Sequence, residues 1–358
     1  MRFFDKLKNV IRDNINSNTT SKVEFNYTDN TFTSNSEPNI PKDIKNEYAK
    51  TLFLYAHQRA NIIKNNDKYV GYLQYDCGIT NPKLFHQQLI DEGYFRQANI
   101  GEVLETYKLP ELKELLKGNG QTTTGKKDEL IQKIINTSSQ EYLAKIEKEK
   151  VYYVLSEKGR KYLQEKDDYV KVHQMQSIKL YEYITEKQKG VLNNFNDICW
   201  SIYNKRTIKY SSQSNFGMVQ YNYLDMARLL DSEEKYQRAL EMYIRVLICV
   251  LNGSVVNITH YKNMYNDGIY TKKEIIENIG NMSHIWIDLI SRIVELKVHY
   301  SDELLIRVCD TTSYPFKIWT VELLKNLLDE AFTSAIFDKE KYDKIINQNV
   351  QNYIKKNF

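Results

Sequence analysis

Apolar positions are most regular in the second half of the chain. From residue 172 to 358 they recur every three or four residues through a series of long segments interrupted by a single proline, Pro315. Proline inside a helix removes a donor and clashes with the preceding turn, so this pattern predicts an all-α domain over 172–358. At the other end, Phe3, Phe4, Leu7, Val10, Ile11 and Ile15 mark a short amphipathic helix over 1–15, with Lys6, Lys8 and Arg12 on its remaining faces. One short helix of this charge is a weak membrane anchor, so docking on protein is the plain reading and no stable membrane insertion is expected. Residues 16–42, rich in Asn, Ser and Thr and containing Pro38 and Pro41, predict a flexible linker.

The pattern changes over 43–171. A helix is expected from Asp43 to about Asn65, carrying Ala49, Leu52, Phe53, Tyr55 and Ala56. A second is marked at both ends, by Asn81 as cap with Pro82 in the first turn and by Gly93 as stop; Leu84, Phe85, Leu89 and Ile90 supply its expected buried stripe. Strands are predicted at Tyr94–Gln97 and Val151–Leu155, and Ser156 with Lys158-Gly159 starts a helix ending near Glu165. Helix, strand, strand, helix resembles a winged-helix domain whose hairpin loop has been expanded. In that reading Lys83, His86, Gln87 and Gln88 face outward as helix-turn-helix contacts to DNA. The alternative is a packing or dimerisation unit.

The expanded loop holds the most specific motif, "TYKLPELKELLKGNGQTTTGKKDELIQKI". Pro110 opens a helix striped by Leu112, Leu115 and Leu116 and stopped by Gly118 and Gly120. After a polar extension, Gly125 permits a tight turn. Asp128 and Glu129 then suit the positive end of a second helix striped by Leu130, Ile131 and Ile134. The spacing resembles the SAP domain, placed at 104–137. The surrounding "YLQYDCGITNPKLFHQQLIDEGYFR" and "YYVLSEKGRKYL" are similar to SAP-containing proteins of Firmicutes and their mobile elements, a group with no activity to carry over. Likewise "YLDMARLLDSEEKYQRALEMYIRVL" is similar to one tetratricopeptide repeat, with Val246 where a small residue is usual and no second copy; the resemblance implies a helical hairpin at 215–251, with Tyr223, Ala227 and Leu230 on its first helix and Tyr236, Ala239 and Tyr243 on its second. SAP modules bind DNA, often A·T-rich stretches, and the resemblance implies contacts at Lys113, Lys117, Thr124, Gly125, Lys126 and Lys127. Gln121 stands where the family usually has leucine.

Charge tempers the scale of any such contact. The 358 residues carry 50 basic and 46 acidic side chains, a net +4, which excludes a general nucleic-acid coater. Residues 104–137 hold six lysines against five acids. Cys77, Cys199, Cys249 and Cys309 are too dispersed for a zinc site or a disulfide framework, and no apolar run is long enough to span a bilayer. The dispersed cysteines suit a reducing compartment and no secretory segment is recognised at the N-terminus, so a cytoplasmic setting is expected, while a composition heavy in Lys, Asn, Ile and Tyr points to a bacterium or its phage.

Three other motifs read as decoys. Gly120 to Lys127 approaches a phosphate-binding loop but puts Lys127 where a hydroxyl must coordinate magnesium, and no strand precedes it. Glu295 and Lys297 have nuclease-like spacing but end a helical pattern. His284 lies on an apolar helix face and is expected in the core. No catalytic residue, metal or cofactor is nominated. The expectation is a mainly α, non-enzymatic DNA-binding accessory protein that recruits a protein partner or self-associates through its C-terminal helices. A protein-interaction scaffold is the alternative, with a metal-dependent nuclease third.

Overall fold

In the computed structural model, the described residues are 40–149, 151–254, 256–279, 284–312, 317–334 and 336–358. The amphipathic helix expected over 1–15, and the linker expected over 16–42 up to residue 39, lie outside them. The chain is mainly α, with nineteen helices and two three-residue strands among the described residues.

The first helices are α1 (Lys42–Ala56), α2 (Tyr72–Tyr75) and α3 (Pro82–Asp91), followed by strand β1 (Phe95–Gln97). Asn81 caps α3 by accepting from the Leu84 amide at 3.0 Å. Gly93, at φ +78°, ends it in a Schellman turn, with the Gly93 amide bonded to Ile90 O and Tyr94 to Leu89 O. The α3 stripe is rotated from expectation. Pro82, His86 and Leu89 are buried, while Leu84 is 65% exposed beside Lys83 and Gln87.

Strand β2 (Tyr153–Leu155) pairs antiparallel with β1, Phe95 opposite Leu155 and Gln97 opposite Tyr153. Between the strands run α4 (Ile100–Leu104), α5 (Leu109–Gly118), α6 (Lys127–Thr137) and α7 (Gln140–Glu149). The inserted unit is therefore wider than 104–137. Asn99 and Glu102 form a capping box on α4, and Ser139 accepts from the Tyr142 amide in the first turn of α7. Side chains alternate across a strand, so the pair has two working faces. Phe95 and Leu155 enter the core of the body, whereas Val154 packs with Ala98, Val103 and Ile146 under the insert.

Next come α8 (Glu157–Glu165), α9 (Asp167–Met175), α10 (Leu180–Lys187), α11 (Phe195–Ser212), α12 (Phe216–Ser232) and α13 (Tyr236–Leu251). The expected division at 171/172 falls inside α9. The physical reason is that Val170, Val172, Tyr183, Ile198 and Tyr203 from α9–α11 complete the same core as Leu52, Phe53 and Leu89. The change of core comes at α12, which sends Met226 and Leu229 into this first core and Ala227 and Leu230 into a second. The expected hairpin is present as α12 and α13; Ala239 and Tyr243 are buried, as is Val246. Helices α14 (Ile258–Asn266), α15 (Lys272–Ile279), α16 (Ile287–Glu295), α17 (Asp302–Thr311), α18 (Val321–Thr333) and α19 (Lys339–Asn357) close that second core.

One close approach fixes the corner where the insert departs. Ser156 Oγ donates to Gly93 O at 2.7 Å and Lys158 Nζ to Glu92 O at 2.6 Å, drawing the start of α8 onto the turn before β1. A Cβ on Gly159 would sit 2.2 Å from Tyr94 O, too close for any side chain. Gly159→Ala is expected to destabilise the protein by about 1–3 kcal/mol, the usual cost of forcing an extra carbon into a packed site. Urea unfolding of wild type and variant measures it, and an unchanged midpoint would show that the corner yields.

Candidate nucleic-acid interface

The two predicted helices of the motif form as α5 and α6 and close through a small core of their own. Leu112, Leu116, Leu130, Ile131 and Ile134 are buried, Leu115 is half-buried, and Leu104 from α4 joins them. Gln121 is exposed, and its amide donates to Leu116 O at 2.9 Å. This bond, with Gly120 at φ +67°, ends α5 in a Schellman turn.

The helices run side by side in the same direction. Asn119 Nδ2 at the end of α5 bonds Ser138 Oγ at the end of α6, while Lys127 Nζ at the start of α6 reaches Glu105 O before α5. The extension must therefore return along α6. Lys133, not anticipated from the sequence, holds it there by donating to Thr124 O at 2.8 Å. No sequence period marks that role, because the lysine's partners, the Thr124 carbonyl and the Thr122 hydroxyl at 3.4 Å, lie in the extension outside the helix.

This geometry divides the six residues implied by the resemblance. Thr124, Gly125, Lys126 and Lys127 gather at the α6 N-terminus, where first-turn amides lack intrahelical acceptors. Lys117 is at the far end, and Lys113 is half-buried between them. By helical rise the two ends are about 15 Å apart. Lys126 and Lys117 are exposed and, like Lys113, form no ion pair among the described residues. Glu129 turns back to accept from the Lys126 amide at 3.0 Å. Gly125 makes room for that carboxylate. At φ +137°, a Cβ there would meet Glu129 Oε2 at 2.6 Å.

The other predicted set separates. Lys83 and Gln87 are exposed on α3, Gln87 bonding Asp91 at 2.9 Å and Gln88 bonding Glu92 at 2.7 Å. His86 is not a surface contact. It is fully buried, with Nδ1 3.0 Å from the Tyr69 hydroxyl and Nε2 without a hydrogen-bond partner among the described residues. Its ring packs among those of Phe53, His57, Phe95 and Tyr153. The α3 stripe passes through position 86 rather than 84, and a neutral imidazole serves there as an aromatic core residue.

His284, expected in the core, is 52% exposed, and its Nδ1 stands 3.5 Å from Asp343. Glu295 bonds Arg292, not Lys297, at the end of α16. Gly120–Lys127 is extension and turn after a helix, with no strand before it. No group of three or more His, Cys, Asp or Glu is placed to hold a metal among the described residues. No helix among them is long and apolar enough to cross a membrane. Comparison of the chain with protein-family models and with curated proteins returns no match.

Burial, with Lys64 and the neighbouring ring adding to it, pushes the His86 imidazole down to about 3; burial, with Lys64, takes His57 to about 4. Both bases are neutral when folded and titrate near 6.5 when unfolded. Their stabilisation is complete above pH 6.5 and is lost as pH falls towards the folded values. Each contributes a slope of about 1.4 kcal/mol per pH unit in that window. Urea midpoints between pH 7.5 and 5 are expected to fall, with a shallower fall in His86→Phe. Equal slopes in the two proteins would contradict this account of the pair.

Proposed function

We propose that the protein is a non-enzymatic, cytoplasmic DNA-binding accessory protein whose SAP-like insert holds the phosphate backbone, while its C-terminal helices recruit a protein partner or a second copy. The observation that carries this reading is the α6 N-terminus. There Lys126, exposed and without an ion pair among the described residues, stands beside the first-turn amides, in a turn where Gly125 makes room for the Glu129 carboxylate. Backbone donors and lysines recognise phosphate without reading bases. Lys117 supplies a second grip further along the module. Lys83 and Gln87, on the exposed side of α3, give the winged-helix-like body room for an additional contact.

With six lysines against five acids over 104–137, binding is weak and strongly salt-dependent. Such a contact works by tethering, raising the local concentration of whatever the helical half carries.

The test is fluorescence anisotropy of the full chain with A·T-rich and G·C-rich duplexes across a salt series. Log affinity should fall linearly with log salt. In the Lys117→Glu/Lys126→Glu double variant the slope should drop by roughly two and affinity should weaken on every sequence alike. Absence of salt-sensitive binding by a folded wild-type chain would sink this reading and favour the interaction scaffold. Duplex cleavage in magnesium or manganese would replace it with the nuclease.

A further inference from the structure

Basic charge is denser on α10 and α11 than on the insert. From Lys179 to Lys209 there are six basic side chains and three acids, whereas residues 104–137 hold six and five. The two helices pack antiparallel. Glu186, near the end of α10, accepts from Ser201 Oγ on α11 at 2.8 Å, and Glu182, one turn earlier, accepts from Arg206 Nε further along α11 at 2.9 Å.

Exposure decides which sign a partner meets there. Glu186 also accepts from Lys189 at 2.5 Å and from Lys205. Its side chain is 9% exposed, while those of Lys189 and Lys205 are 48% and 53% exposed. One sunken carboxylate under two ammoniums leaves a full positive charge, and the ion pairs hold both lysines in place without covering them. Glu182 is taken up by Arg206, both half-buried. Lys209 follows Lys205 by four residues, about 6 Å by helical rise and on the neighbouring turn. Lys179 is the N-cap residue of α10 and lies in the stretch between Ser177 and Glu182, both of which Arg206 bonds. Lys179 and Lys209 are exposed and form no ion pair among the described residues. Two acids limit the patch. Asp168 of α9 pairs with Lys187 at 2.7 Å, and exposed Asp197 stands two turns before Lys205, about 12 Å by helical rise.

We propose that this surface, formed by Lys179, Lys189, Lys205 and Lys209, is a contact through which the helical body itself holds the phosphate backbone of duplex DNA. The inference rests on the reading above for its choice of polyanion, but not on the insert taking part. Lysine ammoniums act as point charges, so the contact is indifferent to base sequence, and each phosphate neutralised releases counterions. An anionic membrane fits the surface less well. Its strongly exposed aliphatic side chains are Val191 in the loop after Lys189 and Ile208 on α11, 81% and 73% exposed, and these do not make the broad apolar face with which a peripheral helix enters the acyl boundary.

Fluorescence anisotropy of the full chain on labelled duplexes across a salt series separates this surface from the insert. Lys179→Gln/Lys189→Gln/Lys209→Gln removes three ammoniums but leaves Glu186 with Lys205 and Ser201, so its Tm should match that of the wild type. The slope of log affinity against log salt should fall by roughly three, and affinity at low salt by at least about tenfold, on A·T-rich and G·C-rich duplexes alike. Arginine at the same three positions keeps the charge and should keep both values. Losses in this variant and in Lys117→Glu/Lys126→Glu would support both contacts, and a loss in this variant alone would support the inference while removing the insert from the contact. A folded glutamine variant that binds like the wild type, while the insert variant loses affinity, would overturn the inference and leave the insert reading standing. A wild type that ignores duplexes but binds phosphatidylserine vesicles, and releases them in the glutamine variant, would overturn it in favour of a membrane surface.

Discussion

The antiparallel pairing of Phe95–Gln97 with Tyr153–Leu155 is the constraint on which the rest of the N-terminal half depends. Two strands of three residues cannot stand alone in water. They persist because both faces are covered, Phe95 and Leu155 by the body and Val154 by the base of the insert. Asn61 extends the pairing by exchanging backbone bonds with Tyr153 at 2.9 and 2.7 Å. Arg96 and Glu102 clamp the first inserted helix to its strand through two bonds, of 2.8 and 2.6 Å. An insertion tied at both ends to one small ladder can keep its own core without entering the body's.

Polar packing then sets the joint between the two large cores. Asn222, buried on α12, donates to Tyr203 O at 2.7 Å and to Thr207 at 2.6 Å, fastening that helix to α11. On its far side Asp231 receives Arg292 from α16 and Tyr243 from α13. A helix bonded in both directions while feeding apolar residues into two cores resists separation of the halves, because parting them exposes apolar area and strands paired polar groups together.

Much of this was legible in the sequence wherever a local signal and a period agreed. Asn81-Pro82, Gly93, Ser156 and the two motif helices all carry caps or stops beside apolar stripes, and their elements form within a residue or two of expectation. The α3 register was not legible, since Leu84 and His86 both satisfy a helical pattern and only the aromatic surroundings favour burying the imidazole. The helices α4 and α7 were within reach through the Asn99–Glu102 box and the Ser139 cap, but the stronger stripes of the motif between them masked these short signals. The seam at α12 could not be read, because one helix serving two cores looks like any well-buried helix. Of the candidate contacts, the turn at Thr124–Lys127 was foreseeable from its glycine and lysines. The parallel course of α5 and α6, which carries Lys117 away from that turn, depends on Asn119 meeting Ser138 across a loop.

The picture that results is a helical body bearing a small side module whose exposed turn we propose as a phosphate contact. Its central claim is about place: that DNA meets the start of α6. Amide hydrogen exchange of the full chain with and without an A·T-rich duplex at low salt tests this most directly. The account predicts added protection at Gly125–Glu129 and near Lys117, with the helices after α11 unchanged. Protection confined to the C-terminal helices, or absent from the insert when the duplex is bound, would contradict it.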